Sequence, residues 1–189
     1  KGPFAVQPFD LSAMVRDMAG LLAISIPKNV ALRIDCPEGI PAIVGDPAQI
    51  RQVVMNLITN AADAIGSAEG VVTLTTGVME CDEAYLAAGV VDDRLTAGSY
   101  VFCDVADTGA GMDEATRARI FDPFFTTKFA GRGLGLAALL GIVRRHKAAV
   151  RVESRLGKGA RFRVLFPASA MPAADAPDET AAGAASGEG

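Results

Sequence analysis

Residues 46–65 constrain the fold more than any other stretch of the chain. Their apolar side chains recur at helical spacing and form one wide stripe, which comprises Ile50, Val53, Val54, Leu57, Ile58, Ala61 and Ile65. Asp46 is a favoured N-cap residue, Pro47 suits the first helical position, and Gln49 is placed to complete a capping box. The pattern predicts a core helix that begins directly after Asp46.

The opposite side of this helix is polar, with Gln52, Asn56, Thr59 and Asp63 clustered together and Asn60 at the border. Asparagine is a mediocre helix former, because its side chain competes for backbone hydrogen bonds. An amide side chain can coordinate a hard cation through its oxygen and donate to phosphate through its NH2 group. Taken alone, the helix fits both a solvated surface and a phosphate-binding surface.

The composition is that of an ordinary soluble globular protein, with 50% hydrophobic and 21% charged residues. The net charge of -4 argues against a broad nucleic-acid-binding surface. No apolar run is long enough to span a membrane, and no signal peptide is recognisable. Because the chain begins with Lys1, we expect a fragment of a longer protein. Residues 1–166 would form one domain, and the Ala-, Pro- and Gly-rich residues 167–189 a disordered tail or interdomain linker.

The three cysteines, Cys36, Cys81 and Cys103, are far apart in sequence and match no metal-binding spacing. Each lies in or beside a strand-like run, which predicts buried or half-buried thiols. Unpaired thiols suit a reducing compartment, so we expect a cytoplasmic location for this part of the chain, whether or not its parent protein is anchored to a membrane.

Hydrophobic periodicity predicts two more long helices, at residues 11–26 and 134–146, and a short helix that follows Asp113 and ends near Ile120. Strands are predicted at residues 4–9, 29–36, 71–79, 99–107, 149–154 and 160–166. Strands with helices between them predict an α/β (α+β) two-layer sandwich, in which one mixed sheet carries its helices on one face.

Two glycine motifs follow in the second half of the chain. D-T-G-A-G at residues 107–111 comes directly after a predicted strand. A buried carboxylate at a strand end can accept a hydrogen bond from an exocyclic amine, and the glycines let the backbone approach a flat ring closely. An ordinary exit from strand to turn would explain the same residues.

G-R-G-L-G-L at residues 131–136 opens directly into a predicted helix. Free backbone N–H groups and the positive end of the helix dipole make such a loop a ready phosphate site. Glycines needed for close helix packing are the alternative. The motif does not follow a strand, as a dinucleotide fingerprint would, and it lacks the G-K-[ST] element of a Walker loop.

F-D-P-F-F-T-T-K at residues 121–128 lies between the two glycine motifs. Its three phenylalanines are too apolar for a free loop, so they are predicted to pin the segment to the core or to a partner domain. G-K-G-A-R-F at residues 157–162 is interpreted as a structural glycine hairpin.

In this order, the asparagine-bearing helix and these four motifs resemble the N, G1, F, G2 and G3 boxes of the catalytic ATP-binding domain of sensor histidine kinases. The resemblance covers residues 4–166. The wording P-F-F-T-T-K-F-A-G-R-G-L-G-L-A looks most like the nitrogen-regulation type and the hybrid kinases that carry PAS domains. The resemblance implies the Bergerat ATP-binding fold of the GHKL proteins, which agrees with the predicted sandwich.

The resemblance also implies a role for each matching residue. Asn56 would bind the Mg2+ that bridges the ATP phosphates, and Asn60 would contact the phosphates. Asp107 would accept a hydrogen bond from the adenine amino group, and Gly109 and Gly111 would shape the base pocket. Backbone N–H groups for the phosphates would come from Gly133, Leu134, Gly135 and Leu136.

Residues 112–131 would form an ATP lid, with Gly111 and Gly131 as its hinges. Lys128 and Arg132 are candidates for contacts to the γ-phosphate, because a cation of the lid can offset the charge that is transferred. The candidate catalytic residues are Gln52, Asn56, Lys128 and Arg132.

Three positions depart from the family pattern. Gln52 stands where many relatives of this fold carry a glutamate that activates water, and a glutamine cannot act as a base, which argues against a free-standing ATPase. Asp63 stands where lysine is common, and Ala160 replaces a threonine, so a hydroxyl contact is lost. The only histidine, His146, is interpreted as a cation at a helix C-terminus and not as a phosphoacceptor.

The function implied by the resemblance is transfer of the γ-phosphoryl group of Mg-ATP to a histidine, in two-component signal transduction. The implied partners are an upstream helical dimerisation domain, which carries the acceptor histidine, and the receiver domain of a response regulator. Two alternatives stay open. One is a degenerate nucleotide-binding scaffold without transfer activity, and the other is a serine kinase of the anti-sigma-factor type, against which the wording of the F box argues.

Overall fold

The computed structural model describes residues 5–90, 95–125 and 135–173. In chain order, the elements are β1 (Gln7–Phe9), α1 (Leu11–Ser25), β2 (Val30–Asp35), β3 (Ile43–Gly45), α2 (Pro47–Ile65), β4 (Gly70–Cys81), α3 (Glu83–Ala87), β5 (Gly98–Asp107), α4 (Glu114–Arg117), α5 (Gly135–Arg145), β6 (Ala149–Ser154) and β7 (Ala160–Pro167). Most bounds lie within two residues of the prediction. The first strand and α4 are shorter than predicted.

One mixed sheet organises the molecule, with the strand order β2-β4-β5-β7-β6. β2 and β4 are parallel, and the other pairs are antiparallel. β1 and β3 form a separate antiparallel pair. The three long helices, α1, α2 and α5, pack on one face of the sheet, and the short α3 lies on the other. The predicted two-layer sandwich is therefore confirmed, and α3 is a small addition to its open face.

Helix α2 lies at the centre of the helical layer, where it contacts β4, β5, α1 and α5. All seven residues of its predicted apolar stripe are buried. Full burial of one such aliphatic side chain stabilises a fold by about 1.5–3 kcal/mol, so this single helix supplies a large part of the core. The predicted core helix is therefore confirmed, and its central position comes from the structure.

The start of α2 differs from the predicted capping box. The Asp46 carboxylate accepts from the backbone N–H of Ala48 at 3.0 Å, as an N-cap should. The Gln49 amide, however, donates to the Asp46 carboxylate at 3.2 Å instead of reaching the Asp46 backbone. The Asp46 N–H donates to Nε2 of His146 at 3.0 Å. A residue 100 positions away in sequence therefore completes the cap.

His146 joins the end of α5 to the start of α2. Its Nε2 accepts from Asp46, and its Nδ1 lies 2.7 Å from the carbonyl oxygen of Ile142, to which it donates. An accepting ring nitrogen carries no proton, so this arrangement holds a neutral imidazole. The interpretation of His146 as a helix-terminal cation is wrong, because burial and these two hydrogen bonds make it a link between helices.

The F-box phenylalanines have different environments. Phe121 and Phe125 pack against the main core, as predicted. Phe124 is 76% exposed and has a φ of 66°, which is unusual for a bulky residue. Only two of the three rings therefore pin this segment to the core.

The open face of the sheet carries its own small apolar cluster beside α3. Its buried members are Cys81, Leu86, Tyr100, Ala149 and Leu165. Leu86 of α3 packs into this cluster, and the Val90 N–H donates to the Val150 carbonyl at 2.8 Å. Cys81 and Cys103 are buried free thiols and Cys36 is a half-buried one, which confirms the cysteine prediction. Among the described residues, no helix is both long and apolar enough to cross a bilayer.

The turn between β6 and β7 contains two glycines in left-handed conformations, Gly157 with φ 73° and Gly159 with φ 75°. Their surroundings differ. A Cβ on Gly157 would meet open space, whereas a Cβ on Gly159 would collide with the carbonyl oxygen of Asp107. The predicted structural hairpin is confirmed, and Gly159 is also the point where it touches the end of β5.

We therefore predict that Gly159→Ala lowers the free energy of unfolding by about 2–5 kcal/mol, since the collision adds to the cost of a left-handed alanine. Gly157→Ala is the matched control and should lower the free energy of unfolding by about 1–2 kcal/mol, because only the left-handed conformation of the alanine is unfavourable there. Urea unfolding of the two variants measures both values. Equal losses would show that the contact with Asp107 is unimportant.

Candidate functional site

Asp107, the last residue of β5, faces the helical layer and is only 8% exposed. Its Oδ1 accepts from the backbone N–H groups of Gly109, at 2.8 Å, and Ala160, at 3.3 Å. No donor in the described residues lies within hydrogen-bonding distance of its Oδ2. Burial raises the pKa of Asp107, and the two backbone hydrogen bonds offset this only in part. The result is a buried carboxylate with one oxygen available to a ligand.

The loop after Asp107 lies directly on the C-terminal part of α2. Ala110 N–H donates to the Ala64 carbonyl at 3.1 Å, and a Cβ on Gly109 would lie 2.6 Å from the same carbonyl oxygen. Gly111 has a φ of 65°, and a Cβ there would collide with the Arg155 carbonyl. Both glycines are therefore required by contacts within the protein itself. Their predicted role in shaping a base pocket stays a prediction.

The amide face of α2 meets the start of α5. Asn56 Nδ2 donates to the Gly135 carbonyl at 3.4 Å, a bond that leaves its Oδ1 unused. One turn further along α2, the Nδ2 of Asn60 lies 3.9 Å from the position of a Cβ on Gly135. Both asparagines are half-buried, and so is Leu136 at the start of α5. The structure thus brings together Asn56, Asn60, Gly135 and Leu136.

The other two polar candidates on α2 lie further from this meeting point. Gln52 and Asp63 are exposed, one turn before Asn56 and about one turn after Asn60 respectively. Thr59 donates its hydroxyl to the Met55 carbonyl at 2.9 Å, so it is used within the helix.

Four candidate site residues, Lys128, Arg132, Gly133 and Leu134, lie outside the described residues, as does the predicted hinge Gly131. The same holds for much of the predicted lid and for residues 174–189 of the predicted tail. Their roles stay predictions.

The residues that lead into the predicted lid are held by the β6–β7 turn. Met112 N–H donates to the Ser154 hydroxyl at 2.8 Å, and that hydroxyl donates to the Gly159 carbonyl at 2.9 Å. Gly157 N–H donates to the Ala110 carbonyl at 2.6 Å. Sequence reasoning missed Ser154, because a serine at a strand end has no pattern that distinguishes it. Ala160 was predicted to lose a side-chain contact, and its backbone N–H instead binds Asp107.

A divalent cation at this site would be coordinated by a side-chain amide oxygen of the protein and by the phosphate groups of a bound substrate. Within the part of the chain that the structure describes, no group of three or more His, Cys, Asp or Glu side chains could hold a metal ion. Mg2+ is commonly bound through one or two protein ligands together with substrate phosphates. The unused Oδ1 of Asn56 fits this arrangement.

The raised pKa of Asp107 gives a pH-dependent prediction. A carboxyl group whose folded pKa is raised holds its proton longer in the folded state, so its contribution to stability falls as the pH rises through that pKa. Asp107→Asn keeps an accepting oxygen and removes this titration. The free energy of unfolding of Asp107→Asn, relative to that of the wild type, should therefore increase between pH 4 and pH 7.

Urea unfolding across this pH range measures the difference, and Asp17→Asn, which removes an exposed carboxylate on α1, is the control for charge loss. A gap between Asp107→Asn and the wild type that stays constant with pH would contradict the buried environment of Asp107.

The chain is similar to several known proteins. A family model described as histidine kinase-, DNA gyrase B-, and HSP90-like ATPase matches residues 45–170. Sensor kinase CckA of Brucella abortus (strain 2308) is 33% identical over 160 residues, 84% of this chain and 16% of that protein. Sensor histidine kinase ZraS of Escherichia coli O157:H7 is 33% identical over 164 residues, 86% of this chain and 32% of that protein. The chain thus spans about a sixth to a third of the length of these relatives.

Solved structures show the same architecture. The crystal structure of full-length ShkA in complex with AMPPNP matches 92% of this chain and 33% of its own, with a TM-score of 0.66 and 29% identity. The nucleotide-free catalytic domain of histidine kinase ThkA matches 88% of this chain and 97% of its own, with a TM-score of 0.65 and 26% identity.

Proposed function

Since this chain belongs to the family of histidine kinase-, DNA gyrase B- and HSP90-like ATPases, we propose that it binds Mg-ATP and donates the γ-phosphoryl group to a histidine on an adjacent helical domain. The predicted family, the ATP-binding domain of sensor histidine kinases, is confirmed. The nitrogen-regulation or PAS-hybrid subtype stays a prediction.

The observation that supports nucleotide binding most directly is the half-satisfied carboxylate of Asp107. Two backbone N–H groups occupy Oδ1, and Oδ2 has no donor among the described residues. A carboxylate oxygen that the protein leaves without a donor can accept a hydrogen bond from a ligand, and a hydrogen bond to a charged group is among the stronger ones. The exocyclic amino group of adenine is such a donor.

The phosphates would lie between α2 and α5. Asn56 would hold Mg2+ through Oδ1, Asn60 would donate to a phosphate oxygen, and the backbone at Gly135 and Leu136 would present the positive end of the α5 dipole. Mg2+, when bound, supplies charge neutralisation on the phosphates. We propose Gly133 and Leu134 as further backbone donors, and Lys128 and Arg132 as cations for the γ-phosphate.

Gln52 favours transfer to a protein over hydrolysis. Gln52 cannot take a proton from water, so no base is available at the position where related ATPases carry a glutamate. His146 is buried and both its ring nitrogens are engaged, so it is no acceptor for the phosphoryl group. We place the acceptor histidine on a helical dimerisation domain of the longer protein, and a receiver domain as the next recipient in the cytoplasm.

Calorimetric titration with AMPPNP, with and without Mg2+, tests the nucleotide site. We expect saturable binding that Asp107→Asn weakens by about 10–150-fold, since a hydrogen bond to a charged group contributes about 1.5–3 kcal/mol. Asp17→Asn is the control and should bind like the wild type. Normal affinity in Asp107→Asn would refute the assignment of the base pocket.

Transfer is tested separately, with a competent dimerisation domain supplied as the acceptor. Asn56→Ala should lose at least about 100-fold in Mg2+-dependent phosphorylation of that domain, because loss of charge stabilisation in the transition state costs about 3 kcal/mol or more. Arg51→Ala, on the exposed side of α2, is the control. Tight nucleotide binding by the wild type without any transfer would favour the scaffold alternative.

A further inference from the structure

A cavity of about 520 Å³ lies at the end of the sheet, and several of its lining residues belong to the face opposite α2. Ala106, Arg161 and Glu153 line it, and the strand registers place these three residues in one row across β5, β7 and β6. Their neighbours along the strands, Val105 and Phe162, point into the main core under α2. The cavity therefore lies mainly on the face opposite α2, and it meets the proposed nucleotide site at Asp107, which also lines it.

Four cationic side chains from three parts of the chain line this cavity. Arg117 comes from α4, Arg155 and Lys158 from the β6–β7 turn, and Arg161 from β7. Two acidic residues also line it, Glu153 on the sheet row and Asp107 at the end of β5. The lining thus has an excess of positive charge, although the whole chain has a net charge of -4.

Two of these cations have no carboxylate within ion-pair distance among the described residues. These are Arg155 and Lys158, both exposed at the mouth of the cavity. Arg161 lies 3.7 Å from Asp104, a carboxylate that already binds Arg163 at 2.7 Å. Arg161 is therefore only partly neutralised.

Arg117 has an exposed partner on its own helix, Glu114, at 2.6 Å. An exposed pair of this kind contributes little to stability, so the guanidinium is readily recruited by a stronger anion.

The rest of the lining is small or polar and includes Ser154, Gly159 and Ala160. Among the described residues, the lining offers no aromatic or large aliphatic surface for a flat apolar ligand. Guanidinium groups match phosphate oxygens in bidentate geometry, and a lysine adds a mobile point charge. The size, charge and lining favour a compact anion with several charges.

We propose that this cavity is a second anion site, which binds a small phosphate compound with at least two phosphate groups. Arg155 and Lys158 would be its principal ligands, and Arg117 and Arg161 would add further positive charge. The site is distinct from the nucleotide phosphates, which would lie between α2 and α5.

Occupancy of this site would be communicated to the nucleotide site through the β6–β7 turn, a consequence that rests on the proposed function. Gly157 and Ser154 hold Ala110 and Met112 by hydrogen bonds of 2.6 and 2.8 Å. A ligand that binds Arg155 and Lys158 would restrain the same turn from its other side.

Titration of the protein with inorganic pyrophosphate at low salt, followed by calorimetry, tests the site. Fructose 1,6-bisphosphate is titrated in parallel, to distinguish an inorganic from an organic phosphate. Saturable binding of either one that falls at least tenfold in Arg155→Gln/Lys158→Gln supports the proposal. These side chains are exposed and have no ion pair among the described residues, so we expect the variant to fold.

The control is Arg33→Gln/Arg51→Gln, which removes the same charge from exposed positions on β2 and α2. It should bind either phosphate within twofold of the wild type. Equal loss in the two double variants, or no saturable binding by the wild type, would overturn the site, since only general electrostatic attraction or none would remain.

Repeating the titration in saturating Mg-AMPPNP separates the two sites. Retained binding supports a distinct anion site, and displacement of the phosphate by AMPPNP overturns it. The two double variants are compared in the absence of nucleotide, so that test of the anion site holds even if the protein does not bind AMPPNP. Failure of the proposed function is therefore distinguishable from failure of the anion site.

Discussion

The buried carboxylate of Asp107 is the interaction on which the rest of the site depends. Its Oδ1 draws together the loop at Gly109 and the start of β7 at Ala160. Removing a carboxylate from water is expensive, and two backbone hydrogen bonds offset that cost only in part, as the raised pKa shows. The remaining acceptor capacity is then available to a ligand.

Helix α2 connects this carboxylate to the phosphate-binding side of the site. Its apolar stripe packs on the sheet, and its amide face meets α5 through Asn56 and Gly135. Contacts at both ends fix its position, through His146 at the start and the Ala64 carbonyl near the end. A helix held at both ends keeps its side chains in place before a ligand arrives, so less ordering entropy is lost on binding.

The two faces of the sheet serve different purposes. The face under α1, α2 and α5 is a continuous apolar core, with the proposed nucleotide site at its end. The open face has a small apolar cluster under α3 and a row of charged residues beside it. The β6–β7 turn borders both faces, since Gly159 contacts Asp107 while Arg155 and Lys158 line the outer cavity. This turn, together with Asp107, which also lines the cavity, therefore connects the two proposed sites.

The sequence by itself determined the elements, the buried stripe of α2, the mixed sheet and the family, because apolar periodicity and glycine spacing are local signals. Only the tertiary structure decided that His146 completes the cap of Asp46, that Phe124 is exposed, and that Gly159 fits against Asp107. These contacts join residues that are far apart in sequence or depend on which way a loop turns. No local pattern encodes them, since each one exists only after the sheet has brought its two partners together.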